Sequence, residues 1–369
     1  MREGRPQTPR AFLRPSRSKT PSRQDKLQLE QLMESCLAVG PAVNSDHKQE
    51  SSTSHPAMNQ PIPVMPVVYI GIDVSLQTLQ LHGLGRRKQL PNTAQGHARL
   101  IALLPASAHV IFESSGGYEK TLWLTLLRAG CKVSRLLAGR VYHFRKALGQ
   151  TVKNDAKDAA LLAEYGRRHT PQADVLHPEI LLELQDLVAR RDQLVRQRAQ
   201  SDVQAQQLGR DSLRQQAAQL LKFMDRQIAA LDQQIRACLK HVDLAPKCQR
   251  LQQVVGVGPG LCATLLATMP ELGSLTDGQA AALVGVAPYD QDSGAYRAGR
   301  HISGGRAPAR RALYMAALSA SLHNPILRAF HQRLLQRGKP FKVALTAVMR
   351  KLIILLNRLI KEPLFTLAS

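Results

Sequence analysis

The pattern of apolar and polar positions divides the chain into stretches of different period. Val67 to Ser75 (VVYIGIDVS) is a β-branched apolar run as long as a buried strand, and Gln77 to Gly83 continues it after a turn as a second strand. His109 to Ser115 (HVIFESS) predicts another strand, ended by Gly116-Gly117. A helical pattern over Tyr118 to Ala129, a short strand over Cys131 to Leu136 and a helix over Ala156 to Arg168 follow. Strands alternating with helices indicate an α/β domain over residues 66–172. Residues 173–245 differ, being rich in Leu, Gln and Arg with no Pro after Pro178. Within them Leu221, Met224, Ile228, Leu231, Ile235, Cys238 and Val242 alternate steps of three and four, the seam of a coiled-coil arm. The polar stretch from Gln200 to Gly209 interrupts it. Residues 246–369 predict a mainly α domain: a Gly-rich turn and apolar helix within Val254 to Met269, then helices over Asp277 to Val284, Ala307 to His323, Pro325 to Arg337 and Lys342 to Lys361. Residues 1–65, rich in Pro, Ser, Gln and Arg, read as a disordered basic tail, with a short amphipathic piece near Leu27 to Leu37.

Charge adds a partner to this picture. The chain carries 50 Lys plus Arg against 27 Asp plus Glu, a formal net charge of +23. Fourteen of the cations and only two acids lie between Gln291 and Ser369, so a polyanion is expected to dock there. Aromatic residues make up 4%, which argues against a stacking platform for single-stranded bases. The five Cys (36, 131, 238, 248 and 262) are widely spaced with no C-x-x-C, which points to a reduced, cytoplasmic protein without a zinc site. No apolar run is long enough to span a bilayer, so no membrane partner is expected.

Candidate chemistry rests on four carboxylates. Asp73 lies inside an apolar strand, where a carboxylate is costly unless paired, hydrated or metal-bound. Glu113 ends a second apolar strand, and Asp155 and Asp158, three apart at a helix start, project from one face. Singly, each has an ordinary explanation: a turn cap at Asp73, an Arg partner at Glu113, helix-start charges at Asp155 and Asp158. Together they form a set of hard oxygen ligands suited to Mg²⁺ or Mn²⁺, and a metal pair can clamp both oxygens of a phosphodiester exchange. The turn Val255-Gly256-Val257-Gly258-Pro259-Gly260 before a helix either holds a DNA phosphate on its backbone N–H groups or is a packing turn. Glu119 and Trp123, one turn apart, read as structural.

The blocks IGIDVS, FESSGGY and KNDAKDAALLA, in this order and spacing, resemble the DEDD insertion-sequence transposases, a family that includes the Piv-type invertases. Lys153, Asp155, Asp158 and Ala159 match its third block. The segment LVGVAPYDQDSGAYRAGRHISGGRAPARRALYMAAL is similar to the family's second domain, and the resemblance covers residues 66 to about 360. It implies a ribonuclease-H/RuvC-like N-terminal fold, a metal tetrad of Asp73, Glu113, Asp155 and Asp158 binding Mg²⁺ or Mn²⁺, and Ser293 as a nucleophile that forms a covalent phosphoserine link to DNA. It also implies a composite site within a homo-oligomer, dimer or tetramer, and a structured guide RNA from the element's non-coding end. Without the family match, Ser293-Gly294 reads as an ordinary turn, and Ser303 is a rival hydroxyl. Lys153, Arg297, Arg300, Arg306, Arg310 and Arg311 are the candidate nucleic-acid-binding residues. The tail before Pro66 exceeds the family pattern, so translation is expected to start at Met58 or Met65, or the tail to be dispensable. Two other readings compete: a RuvC-like nuclease that uses water and releases cut DNA, and a non-catalytic nucleic-acid-binding relative.

Overall fold

The structure, a computed structural model, describes residues 66–85, 88–114, 116–149, 155–290 and 299–365. The basic tail, Lys153, Ser293 and Arg297 lie outside the described residues. The chain forms two compact units, which divide between Pro178 and Glu179.

The first unit is built on a five-stranded sheet. Its strands are β1 (Val68–Val74), β2 (Thr78–His82), β3 (Lys88–Pro91), β4 (Ala108–Glu113) and β5 (Lys132–Leu136), in the spatial order β3-β2-β1-β4-β5. β1, β2 and β3 form an antiparallel meander, and β4 and β5 add parallel on the other side of β1. Four helices complete the unit: α1 (Ala94–Leu103), α2 (Lys120–Arg128), α3 (Ala138–Ala147) and α4 (Asp155–His169). The central strands β1 and β4 carry buried residues on both faces, as expected where a sheet lies between helical layers. One face carries Ile70, Ile72, Val110 and Phe112, all fully buried. On this face Arg135 of β5 lies over the Trp123 ring of α2, 4.3 Å from its centroid. The other face carries Ile111 and Leu136, which pack with Val141 of α3 and Leu161, Leu162 and Tyr165 of α4.

Glycine sets how closely α4 approaches that second face. A Cβ on Gly71 would collide with the backbone carbonyl of Ala159 and stand 2.6 Å from the nitrogen of Ala163. A Cβ on Gly166 would stand 2.5 Å from the Tyr69 ring and 2.9 Å from Ile111. Helix and strand therefore touch backbone to backbone, and they run antiparallel, since Tyr69 meets Gly166 while Gly71 meets Ala159 and Ala163.

The second unit is helical: α5 (Glu179–Gln206), α6 (Asp211–Cys238), α7 (Ala245–Gln252), α8 (Pro259–Thr268), α9 (Asp277–Val284), α10 (Ala307–His323), α11 (Pro325–Gln336) and α12 (Phe341–Lys361). α5 and α6 form an antiparallel hairpin. Arg191 pairs with Asp232 and Arg198 with Asp225, so one heptad forward on α5 is one heptad back on α6. The polar stretch after Gln200 contains the break between them. Val242, which the three-four spacing placed on the seam, stands beyond the end of α6 and is 76% exposed. Leu239 and Leu244 are buried in its place, because the chain has already turned after Cys238. The hairpin's base, with Leu184, Val188, Ile235 and Cys238, joins the core of α8, α10 and α12. α8 is buried on nearly all sides, matching its uniformly apolar sequence.

Candidate active site

The parallel register pairs Ile72 with Phe112. One step further along both strands, Asp73 and Glu113 stand side by side at the carboxyl ends of β1 and β4, on the face opposite Ile72 and Phe112 and therefore on that of Gly71. Chain order departs to one side from β1 to β2 and β3, then returns to β4 on the other. Asp73 and Glu113 thus flank the point where strand order reverses, the usual place for a ligand crevice in an open α/β sheet.

α4 supplies the other two carboxylates. From Gly71 to Asp73 the strand rises about 6.6 Å. From Ala159 back to Asp155 the antiparallel helix climbs about 6 Å in the same direction, and back to Asp158 about 1.5 Å. The close Gly71–α4 packing therefore sets Asp155 and Asp158 within about one helical turn of the height of Asp73. Asp155 is exposed. Asp158 is buried and accepts a 2.8 Å ion-pair hydrogen bond from Arg145 of α3. Among the described residues, no three His, Cys, Asp or Glu stand close enough to hold a metal ion. Asp73 and Glu113 share one edge of the sheet, and Arg145 neutralises Asp158.

Asn92 fastens the loops at this edge. Its amide donates to the carbonyl of Ser75, just after β1, at 2.8 Å, and to that of Tyr118, in the loop after β4, at 3.2 Å. Its Oδ1 accepts from His97 Nε2 at 2.8 Å. That bond puts the imidazole proton on Nε2 and leaves Nδ1, which has no hydrogen-bond partner, unprotonated. Burial holds the His97 pKa below its ordinary value. Glu119 is buried and closes the glycine turn, accepting from the Gly117 amide at 3.0 Å and the Ser114 hydroxyl at 3.3 Å. Gly116 and Gly117 both have left-handed φ, +81° and +107°, which explains the two glycines. Trp123 donates to Asp174 at 2.8 Å. Sequence reasoning missed Asn92, His97 and Arg145. The Asn92-Thr93 pair before a helix was a visible turn signal, but its reach to two distant loops was not.

The helical unit carries the other candidates. β6 (Pro288–Tyr289) and β7 (His301–Ile302), which flank Ser293 in sequence, pair antiparallel. Arg300 pairs with Asp290 next to these strands at 2.6 Å. Two glycine loops interlock. Gly285, left-handed at the end of α9, has room for no Cβ because Gly304 and Arg310 lie against it, and Gly305 in turn lies against the Gly285 backbone. Arg306 donates to both carboxylate oxygens of Glu271 at 2.7 Å and to the Thr268 carbonyl at 2.5 Å. Arg310 donates to the Gly304 carbonyl, and Arg311 to Asp192 of α5 at 2.8 Å. Arg306 and Arg310 are thus engaged in holding the interlocked loops, and Arg300 the β6–β7 pair. Ser303 is exposed beside the left-handed Gly304-Gly305 turn. In the glycine turn before α8, a Cβ on Gly256 would stand 2.7 Å from Ala320 of α10, so this glycine serves packing; Gly258 and Gly260 have open space around them.

Comparison with known proteins joins both units to one group. Residues 70–208 match a transposase family model of the DEDD IS110 type, and residues 248–332 match the model described as transposase IS116/IS110/IS902 family. Pilin gene-inverting proteins of Moraxella lacunata and Moraxella bovis are each 26% identical over 322 residues, which cover 81% of this chain and 97% of theirs. An uncharacterized 43.6 kDa protein of insertion element IS110 from Streptomyces coelicolor is 26% identical over 388 aligned positions, covering 81% of this chain and 95% of its own. Among the described residues no helix is long and apolar enough to cross a membrane. With matches in both units and in the order the sequence blocks require, the chain belongs to the IS110 family of transposases.

Proposed function

We propose that this protein recombines DNA through a carboxylate-bound metal site on the α/β unit and a covalent link to Ser293. What supports this reading is the pairing of Asp73 and Glu113 at adjacent strand ends, together with the Gly71–α4 contact that holds the helix carrying Asp155 and Asp158 against the same face. The sheet order β3-β2-β1-β4-β5, three strands antiparallel and two parallel, supports a ribonuclease-H-like assignment. The donor set is all carboxylate oxygen, which fits Mg²⁺ or Mn²⁺. Asp73, Glu113, Asp155 and Asp158 would hold the ion, with Asp158 exchanging its Arg145 partner for it. Bound there, the ion supplies Lewis-acid stabilisation of a scissile phosphate.

The protein's own residues do the rest. The Ser293 Oγ forms a bond to phosphorus as the bond from phosphorus to one deoxyribose oxygen breaks, and the serine proton ends on the released hydroxyl. The phosphoserine keeps the phosphodiester's energy, so a strand hydroxyl can reverse the step without ATP. Lys153, Arg297 and Arg300 contribute charge near the phosphate, while Arg306, Arg310 and Arg311 hold the framework that presents the loop. A structured RNA from the element guides target choice, and a homo-oligomer assembled through the α5–α6 coiled-coil arm brings a carboxylate edge from one protomer to Ser293 of another.

The test uses protein, Mg²⁺, element-end DNA and RNA transcribed from the adjoining non-coding segment. A protein–DNA adduct that survives denaturant and is lost on protease digestion is expected in wild type, and not in Ser293→Ala or Asp155→Ala. Free cut DNA from both wild type and Ser293→Ala would replace this reading with hydrolysis by water.

A further inference from the structure

The corner between α11 and α12 concentrates exposed cations without carboxylate partners among the described residues. No Asp or Glu occurs from Ala307 to Lys361, a stretch with eleven Lys or Arg. Two of these reach carboxylates on other helices, Arg311 to Asp192 and Arg358 to Asp277. Arg333, Arg337, Lys339 and Lys342 sit exposed around the corner, and among the described residues none of the four has such a partner.

The corner is rigid. Gly338 takes left-handed φ, +73°, and donates to the Leu335 carbonyl at 2.9 Å, while Lys339 donates to that of Leu334 at 3.1 Å. This is the six-to-one, five-to-two closure of a Schellman turn. Pro340 then fixes the start of α12, and Phe341 packs edge-on against buried His331, with ring centroids 5.4 Å apart. Arg333 and Arg337 stand at the carboxyl end of α11, where the helix dipole favours cations. Lys342 does not have that excuse. It occupies the first turn of α12, the positive end of that dipole, and no acid stands there to offset it. Arg333 and Lys351 both lie over the Phe330 ring, at 5.7 and 4.8 Å, so one further cation joins Arg333 on this aromatic.

A rigid surface that concentrates positive charge, partly against its own helix dipole, gains most from a polyanion. We propose that the α11–α12 corner is an anchor for the phosphate backbone of duplex DNA. Duplex is favoured over single strands because Phe341 is the one exposed ring on the corner, too few to stack successive bases. DNA is the occupant because the chain belongs to a transposase family. The contacts are to phosphate, so the anchor fixes register without reading sequence.

Binding to a labelled DNA duplex of unrelated sequence, measured by anisotropy from 50 to 300 mM salt without added metal, tests the anchor apart from any strand cutting. The triple variant Arg333→Ala/Arg337→Ala/Lys342→Ala is compared with Arg210→Ala/Arg226→Ala/Arg236→Ala, which removes three exposed cations from the arm. The corner triple is expected to flatten the slope of log K against log salt by about 2.7, or roughly 0.9 per lost phosphate contact, and to weaken binding on the order of a hundredfold at 0.1 M salt. The arm triple is expected to leave the slope nearly unchanged. Lys342→Ala alone, with an expected slope change of about 0.9, keeps the test open should the triple misfold. An unchanged slope, an equal effect from the arm triple, or weakening confined to an RNA hairpin of equal length would overturn the proposal.

Discussion

In the α/β unit the candidate carboxylates stand on regular elements: two adjacent strand ends and the first turn of a helix held against the sheet. In the helical unit the candidate hydroxyl lies outside the described residues, and what is regular comes before and after it in sequence: the β6–β7 pair, the interlocked glycines and the Arg306–Glu271 bridge. Both units use glycine to bring backbones together. In one, Gly71 fixes the height of a helix against a strand; in the other, Gly285 and Gly305 fix one loop on another. The contrast teaches where precision is built in. Groups on strands and helices are positioned by packing alone, whereas the region around the β6–β7 pair is held by side-chain bonds from Arg300, Arg306 and Arg310.

The largest expected effect comes from breaking the first kind of contact. Gly71→Val forces a side chain into the Ala159 carbonyl and should destabilise the α/β unit by about 3 kcal/mol. Thermal melting should show this, together with loss of strand cutting; a melt like wild type would mean that α4 does not lie on β1. Next is the framework of the helical unit. Arg306→Ala removes a two-pronged contact to Glu271 and a bond to Thr268, and should cost about 1–2 kcal/mol in denaturant unfolding, the pair being partly exposed. Arg306→Lys should recover little of it, because one ammonium cannot match a planar fork.

Acid separates the units more gently. Burial, helped by the charge on Lys132, holds the His109 imidazole below its ordinary value of 6.5, with Asp174 opposing; burial does the same at His97. Both groups bind protons more readily when unfolded, so their contribution is complete above about pH 6.5 and is lost as pH falls below it. Each accounts for at most about 1.4 kcal/mol per pH unit. His109→Gln should therefore reduce the acid-induced fall in melting temperature of the α/β unit; an identical pH profile would remove His109 from the account. The smallest effect belongs to the arm. Arg191→Ala breaks a half-exposed pair with Asp232 and should change stability by about 0.5 kcal/mol, visible as earlier hydrogen exchange at the α5–α6 contact.

Much of this architecture was legible in the sequence wherever burial made the pattern strong. The fully buried β1 and β4 announced themselves as apolar runs, and the helices Asp277–Val284 and Ala307–His323 were read to the residue because a Thr cap or Pro opens them and Gly or Asn closes them. Elements with little buried surface were missed. β3 is an edge strand of sequence KQLP with no buried residue, and α3 buries only Val141. α1 was missed although Thr93 caps it; Leu100 is its one buried apolar side chain of any size. The site was half legible. Residue type and spacing selected Asp73, Glu113, Asp155 and Asp158, but not the Arg145 that pairs with Asp158 or the Asn92 that ties the loops, since those contacts join positions far apart in sequence. Val242 shows the opposite limit: a perfect three-four spacing carried the seam past the point where the helix ends.

The most direct test of the central claim is Mn²⁺ binding to the full chain, followed by the loss of the free-ion resonance signal. Wild type should bind Mn²⁺, and Asp73→Asn and Asp155→Asn, altered on different elements, should each weaken binding by tenfold or more, on the order expected for a lost carboxylate ligand. Undiminished binding in both variants would show that the strand end and the helix turn do not share one metal site.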